Sequence, residues 1–113
     1  MLDLKFNFNK IENKKKIKDI NETSKALILL GNCYMTKTNK DGEEIRKALD
    51  CFIKADKIDK QNLILKAKIG NLLYHQGEMD LSIKIYNKAL LIDPDNLDIK
   101  INLGKRTFNM LIF

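Results

Sequence analysis

The sequence predicts an all-α protein in which antiparallel helix pairs stack side by side into a solenoid. Three observations lead to this fold class. Glycines embedded in apolar runs of helical spacing recur along the chain, a small, aromatic, small pattern repeats after 34 residues, and the only proline stands between two helical runs. A repeat of this length with two helices in each unit is typical of helical solenoids.

The embedded glycines lie at similar places in three apolar runs. They are Gly31 in LILLGNCYM, Gly70 in LKAKIGNLLY and Gly104 in IKINLGKRTF, at spacings of 39 and 34 residues. Glycine in a helix interior costs about 1 kcal/mol relative to alanine, so each position should have a packing reason. We expect a neighbouring helix to cross closest to each of these glycines.

The second helix of each unit carries the small, aromatic, small pattern. Its residues are Ala48, Phe52 and Ala55 in the first unit and Ser82, Tyr86 and Ala89 in the second. Small side chains at helical steps of four and three let two helices approach closely, while larger side chains interlock around the contact. Gly42 and Gly77 separate the two helices of each unit and are predicted to lie in turns, where glycine permits positive φ.

Pro94 marks the break after the second unit. It stands two residues beyond Ile92, the last apolar position of the preceding helix, and proline cannot continue a helix. The side chains that can cap the positive end of the next helix are Asp93, Asp95 and Asn96. The equivalent break after the first unit is the polar stretch 59–62.

These motifs resemble the signature of the tetratricopeptide repeat family, in which a large apolar residue precedes Leu-Gly and Tyr, and Ala, an aromatic residue, Ala and Pro follow. The matching positions are Leu27, Leu30, Gly31, Tyr34, Ala48, Phe52 and Ala55 in the first unit and Ile69, Gly70, Leu73, Ser82, Tyr86, Ala89 and Pro94 in the second. The resemblance covers residues 24–113 and implies a right-handed superhelix of about two and a half units, 24–62, 63–96 and a final helix 97–113. The departures from the pattern, which put the packing there in question, are Lys66, Ser82, Lys100 and Thr107.

Residues 1–23 form a basic N-terminal segment outside the repeats. The first 25 residues hold seven lysines against four acidic residues, within a formal net charge of +6 for the whole chain. The alternation of apolar residues over 2–8 has the period of a β-strand, whereas 10–20 is typical of a weak helix left from an earlier unit. The segment could pair with its own copy in a dimer or pack on either end of the solenoid.

The last four residues, 110–113, are all apolar and cannot all face one side of a final helix. Three explanations stay open: a frayed end, a surface covered by the N-terminal segment, and a surface for self-association. Large apolar surfaces are unusual on monomers. A homodimer formed through the apolar ends is therefore one expected assembly.

The side chains that carry most catalytic and metal chemistry are scarce. His75 is the only histidine, no cysteine or acid is spaced to act with it, and Cys33 and Cys51 are far apart, so we predict no enzyme activity, metal or cofactor. No apolar stretch approaches the roughly 20 residues needed to span a bilayer, and the N-terminus lacks the residue order of a secretory signal. The sequence predicts a cytoplasmic protein with no membrane partner.

One face of the first helices is left free when their glycines pack on the second helices. The family resemblance implies that this concave face holds extended peptides and that the asparagine after the glycine grips the peptide backbone, since an amide both donates and accepts. The predicted peptide-binding residues are Lys25, Ile28, Asn32, Asn71, Tyr74, His75, Ile101, Lys105 and Phe108. Lys25 and Lys105 favour an acidic segment or a C-terminal carboxylate. Chaperone tails are not predicted, because chaperone-binding relatives have lysine where this chain has Ile28.

The leading prediction is a noncatalytic protein-interaction module, or adaptor, that binds a peptide or helix of a partner in this concave groove. The chain holds twelve asparagines, so the two matching ones are also compatible with an unused solvated face. A self-assembly or dimerisation scaffold is the alternative. Nucleic-acid binding through the basic N-terminal segment is less favoured, because arginine is the better phosphate ligand and only two arginines are present.

Overall fold

Five α-helices follow one another through the described part of the chain. The computed structural model describes residues 2–37 and 42–112, with side chains described within 12–37 and 42–108. The helices are α1 (Leu2–Thr36), α2 (Gly42–Ile58), α3 (Leu63–His75), α4 (Met79–Ile92) and α5 (Leu97–Ile112). No strand occurs in these ranges, and each helix packs on the next one along the chain. The predicted all-α solenoid of helix pairs is confirmed.

Asparagines begin the helices that follow each break between units. The Oδ1 of Asn62 accepts a hydrogen bond from the backbone N–H of Leu65 at 3.1 Å, and the Oδ1 of Asn96 accepts one from Ile99 at 3.1 Å. These bonds satisfy backbone donors that the first turn of a helix leaves without an intrahelical partner. The predicted cap at Asn96 is confirmed, and the first break uses the same cap although it lacks a proline.

The two glycines predicted in turns differ from each other. Gly77 has a φ of 82° in the short connection between α3 and α4, as predicted. Gly42 is instead the first residue of α2, and its φ is not positive. The prediction of a turn conformation at Gly42 is therefore wrong. A helix begins there because Glu43 and Glu44, which follow at once, place negative charge at the positive helix end.

Two of the three embedded glycines lie against an aromatic ring of a second helix. A Cβ added at Gly31 would lie 2.6 Å from the ring of Phe52, and one added at Gly70 would lie 2.7 Å from the ring of Tyr86. Carbon atoms do not approach this closely, so only glycine permits these helix crossings, and the prediction is confirmed at both. At Gly104 no atom lies within 4 Å of the added Cβ, because no helix follows α5 in the described chain.

The small and aromatic residues of the second helices form the centre of the core. Two clusters of buried residues run through the stack. The first is built around Ala48, Phe52, Ala55, Leu65 and Ile69, and the second around Tyr86, Ala89 and Ile99. Helix α3 contributes side chains to both clusters, so the second unit is packed on both of its sides.

Two departures from the family pattern are accommodated by polar contacts. Lys66 is 4% exposed, and its Nζ donates to Oδ1 of Asp56 at 2.6 Å, which places an opposite charge beside it between α2 and α3. The Oγ of Ser82 donates to the backbone oxygen of Gly70 at 2.6 Å. Buried polar groups destabilise a fold unless they are paired, and both of these are paired.

The N-terminal segment is a continuation of the first helix. Helix α1 runs unbroken across the predicted boundary between residues 23 and 24, so the strand suggested by residues 2–8 is wrong. A helix satisfies its own backbone hydrogen bonds, whereas a lone strand has no partner for them. Side chains over 12–23 are exposed. The side chains of 2–8 and 110–113, where apolar ends were predicted, lie outside the described ones, and a separate N-terminal unit stays a prediction.

Replacing Gly70 by alanine should destabilise the fold, since the new methyl group would overlap the Tyr86 ring and push α3 and α4 apart. We expect a loss of about 1–3 kcal/mol in the free energy of unfolding, measured by urea denaturation. Gly104→Ala is the matched control, because it adds the same methyl group where nothing lies within 4 Å. It should raise stability by up to about 1 kcal/mol through helix propensity. Equal effects of the two substitutions would contradict this packing role.

Removing one partner of the Lys66–Asp56 pair should cost more stability than removing both. Asp56→Ala leaves a buried ammonium without a counter-charge, so we expect a loss of about 3 kcal/mol. The double variant Asp56→Ala, Lys66→Met also removes the buried charge and should recover most of that loss. Thermal unfolding followed by circular dichroism compares the two. A double variant no more stable than Asp56→Ala would mean that the buried charge is not the cause.

Candidate functional site

Two open depressions adjoin along the side where α1, α3 and α5 lie next to one another. The larger, of about 290 Å³, is lined by Ile64, Ala67, Lys68, Asn71, Tyr86 and Asn102. The smaller, of about 110 Å³, is lined by Ile28, Asn62, Ile64, Leu65 and Lys68. Ile64 and Lys68 line both depressions, so the two form one continuous surface, here named the α1–α3–α5 groove.

Hydrogen bonds between an asparagine and a cation connect the first helices across this groove. The Nζ of Lys68 donates to Oδ1 of Asn32 at 3.1 Å, and the Nη2 of Arg106 donates to Oδ1 of Asn71 at 2.8 Å. Each asparagine directly follows an embedded glycine, so the same bridge occurs twice, from α1 to α3 and from α3 to α5. The bridge holds the amide oxygen on the cation and leaves Nδ2 as a donor for another group.

Arg106 is buried without a carboxylate partner. It is 8% exposed, and its guanidinium carbon lies 3.9 Å from the ring centre of Tyr74 and 5.9 Å from that of Tyr86. Aromatic faces attract a guanidinium but do not neutralise it. Its Nε has no hydrogen-bond partner among the described atoms. No described carboxylate forms an ion pair with Arg106 or Lys68. Positive charge in and beside the groove is therefore not compensated by any carboxylate among the described side chains.

Ile64 adds exposed apolar surface to the same groove. It is 74% exposed, although it lines both depressions. Its neighbour in the smaller depression, Ile28, is partly buried against the first core cluster. The groove thus carries the exposed aliphatic side chain of Ile64 and the polar groups of Lys68 and Asn71, which hydrogen bonds connect to Asn32 and Arg106 beside it. Such a surface can bind a ligand that carries acidic and apolar groups together.

Some of the sequence-predicted binding residues lie in or beside this groove. Ile28 and Asn71 line the groove, and Asn32 accepts a hydrogen bond from Lys68, which also lines it. Tyr74 lies against the Arg106 guanidinium, and the His75 ring meets the Tyr74 ring edge-on at 5.4 Å. These contacts bring part of the predicted set together. Their role in binding a peptide stays a prediction.

The remaining predicted residues lie elsewhere. Lys25 and Lys105 are exposed on α1 and α5, and line neither depression. Ile101 and Phe108 are 47% and 62% exposed on α5 and do not line the groove either. A single site that contains all nine residues stays a prediction.

Lys68 and Asn102 line the groove, and Arg106 lies beside it on Asn71, although sequence reasoning selected none of these three. Lys68 and Asn102 occupy the same repeat position, two residues before an embedded glycine. A signal for the bridges was present, because each asparagine after a glycine is followed by a cation 36 or 35 residues later. Recognising it requires the orientation of each first helix relative to the next, which the repeat pattern does not give.

Tyr86 lies at the base of the groove and joins it to the core. It is 1% exposed, lines the larger depression, and donates its hydroxyl to the backbone oxygen of Ala67 at 3.4 Å. Burial raises the pKa of this hydroxyl above its ordinary value, while the positive charge of Arg106 opposes the increase. The folded protein therefore favours the neutral phenol.

Other sequence expectations concern metals and membranes. Cys33 is exposed, Cys51 is buried, and both are free thiols. Over the described ranges, no group of three or more His, Cys, Asp and Glu side chains could hold a metal ion. No helix in those ranges is both long enough and apolar enough to cross a membrane.

Comparison with protein families identifies the repeat. Residues 70–108 match a family model described as TPR repeat. This part of the chain is similar to a tetratricopeptide repeat. The match runs from the glycine that receives the Tyr86 ring, through α4, into α5 beyond Arg106. It supports the family resemblance over these residues, which make up about a third of the chain.

Comparison with curated proteins finds no match. Among solved structures, the first TPR of Spaghetti (RPAP3), bound to the HSP90 peptide SRMEEVD, is similar over 80% of this chain and 94% of that chain, at 14% sequence identity and a TM-score of 0.42. A similarity this distant does not bear on what the present chain binds.

The raised pKa of Tyr86 should make stability fall in alkaline solution. The unfolded chain loses the phenol proton near pH 10 and the folded chain only at higher pH, so base pulls the equilibrium toward the unfolded state. Below about pH 9 the wild type and Tyr86→Phe should differ by a constant free energy of unfolding. Above about pH 10 the wild type should lose stability relative to the variant. Urea denaturation at a series of pH values measures the difference, and a constant difference up to about pH 11 would contradict it.

Proposed function

We propose that the α1–α3–α5 groove binds an extended acidic segment of a partner protein, so that the chain acts as a noncatalytic adaptor. The observation that carries this proposal is the positive charge of Lys68 and Arg106, which no described carboxylate neutralises. A carboxylate of the ligand would supply the missing counter-charge. Exposed Lys25 and Lys105 add further positive charge on α1 and α5.

The positions of Lys68 and Arg106 favour tighter binding of an acidic peptide than exposed surface cations would give. Arg106 is 8% exposed, so solvent screens its charge less than that of a surface arginine. Charge-assisted hydrogen bonds are about twice as strong as neutral ones. Asn32 and Asn71 already hold the two cations in place, which lowers the entropy cost of ordering them when a ligand arrives.

The rest of the groove suits the backbone and one apolar side chain of an extended peptide. The Nδ2 of Asn32 and of Asn71 can each donate to a peptide carbonyl oxygen. Ile64 is 74% exposed, and covering it removes apolar surface from water at about 25 cal/mol per Å². The favoured ligand is therefore a segment in which acidic residues flank an apolar one.

A random peptide library displayed on phage tests this proposal. Selection on the wild-type protein should enrich peptides rich in Asp and Glu with at least one apolar residue. Synthetic versions should bind more weakly as salt increases, because ions screen the charge attraction. Lys68→Met keeps most of the aliphatic stem and removes the charge, so it should weaken their binding about tenfold, measured by isothermal titration calorimetry.

Lys84→Met is the matched control for this experiment. Lys84 lies on α4 and lines a separate depression bordered by α2, α3 and α4 that shares no residue with the groove, so its loss should leave peptide binding unchanged. Melting temperatures of both variants separate loss of binding from loss of folding. Enrichment of peptides without acidic residues, or equal binding by wild type and Lys68→Met, would refute the acidic-peptide groove.

A further inference from the structure

On α5, the last described helix, no aromatic ring covers the embedded glycine. Gly31 and Gly70 each lie directly beneath an aromatic ring, that of Phe52 and that of Tyr86. Gly104 occupies the same repeat position on α5, and nothing lies within 4 Å of a Cβ built there. The surface that receives a ring in the first two units is open in the third.

Apolar residues surround this open position on one side of α5. Leu97, Ile101 and Phe108 are 67%, 47% and 62% exposed. With Gly104 they follow one another at steps of four, three and four residues, which places them on one face of the helix. We name these four residues the outer stripe of α5. The residues that pack toward α3 and α4, such as Arg106 and Ile99, are 8% and 3% exposed and lie on another side.

The outer stripe is complementary to itself. Phe108 follows Gly104 by one helical turn, about 5.4 Å along the axis. When two α5 helices lie antiparallel about a two-fold axis at the level of residue 106, Phe108 of each copy lies opposite Gly104 of the other. A two-fold interface requires this reciprocity, in which residue i contacts residue j and j contacts i.

The same contact already joins antiparallel helices inside the chain. In each complete unit, the glycine of the first helix receives the aromatic ring of the second helix, which runs in the opposite direction. A dimer through α5 would repeat this contact between copies, with Phe108 in the place of Phe52 or Tyr86. The register also places Lys105 opposite Thr107 of the second copy, so no lysine lies directly opposite a lysine.

We propose that a second copy of this chain docks on the part of the outer stripe around Gly104 and Phe108 and forms an antiparallel, two-fold symmetric dimer in which Phe108 of each copy fills the Gly104 position of the other. Phe108 and Gly104 line neither depression of the α1–α3–α5 groove. The dimer proposal therefore does not depend on peptide binding. Each dimer would present two grooves.

Sedimentation equilibrium of the full chain over a wide concentration series tests the dimer. The apparent mass should rise from the 13.1 kDa of one chain toward twice that value. Phe108→Ala removes the ring and Gly104→Phe blocks the site that receives it, so each should weaken association about tenfold or more. Both positions are exposed or open in the single chain, and circular dichroism should find its helices intact.

The double variant Gly104→Phe, Phe108→Ala distinguishes this dimer from other uses of the surface. It exchanges the ring and the site that receives it, and the two-fold register again brings each ring opposite a small residue. Association should return toward the wild-type value although each single substitution weakens it. Docking of an unrelated helix would show no such recovery.

Leu91→Ser is the control for loss of exposed apolar surface in general, since Leu91 is 84% exposed on α4 and lies outside the outer stripe. It should leave association unchanged. A wild-type chain that stays monomeric at all concentrations would overturn the proposal and leave the stripe to a different partner. Association that persists unchanged in Phe108→Ala, or a double variant as weak as the single ones, would also overturn it.

Discussion

The contact between a helix glycine and an aromatic ring of the next helix is the constraint on which this structure depends. At Gly31 and Gly70 a single added carbon would lie within 3 Å of the ring, so the distance between the paired helices is fixed by the absence of a side chain. The ring then becomes the centre of the buried cluster on its side of the stack. Because packed interiors tolerate little added volume, the two helices of a pair can pack closely in only one geometry.

This pairing also decides which surface of the first helices is left for binding. Once the glycine side of α3 is covered by α4, the side that carries Lys68 and Asn71 remains open toward α1 and α5. The asparagine after each glycine then lies within reach of a cation on the next first helix. The groove and its positive charge therefore follow from the same contact that holds each unit together. Tyr86 belongs to both, since its ring covers Gly70 and its edge lines the groove.

In a stack of repeats each unit buries its face only against a neighbour, so a helix without a following unit leaves that face uncovered. At α5 this surface consists of an uncovered glycine and three exposed apolar side chains. At the other end, α1 continues as a single helix whose described side chains over 12–23 are exposed. The first and last described helices thus differ in chemistry. Helix α1 carries a run of lysines, and α5 carries an apolar stripe whose glycine no described ring covers.

The sequence by itself determined the helix pairs, the breaks between them and the register of glycine against aromatic residue. These features repeat with a period set by helix geometry, or depend on one local residue such as Asn62 or Asn96, and both kinds of signal survive without three-dimensional information. The strand period over residues 2–8 was local too, and it misled because alternation without a second strand leaves the backbone unpaired. Only the tertiary structure paired Lys66 with Asp56, set Lys68 and Arg106 on the two asparagines, and separated Ile101 and Phe108 from the groove. Those outcomes depend on how far each helix is rotated about its own axis relative to the next helix. All packing contacts together fix that rotation, so no single stretch of sequence predicts it.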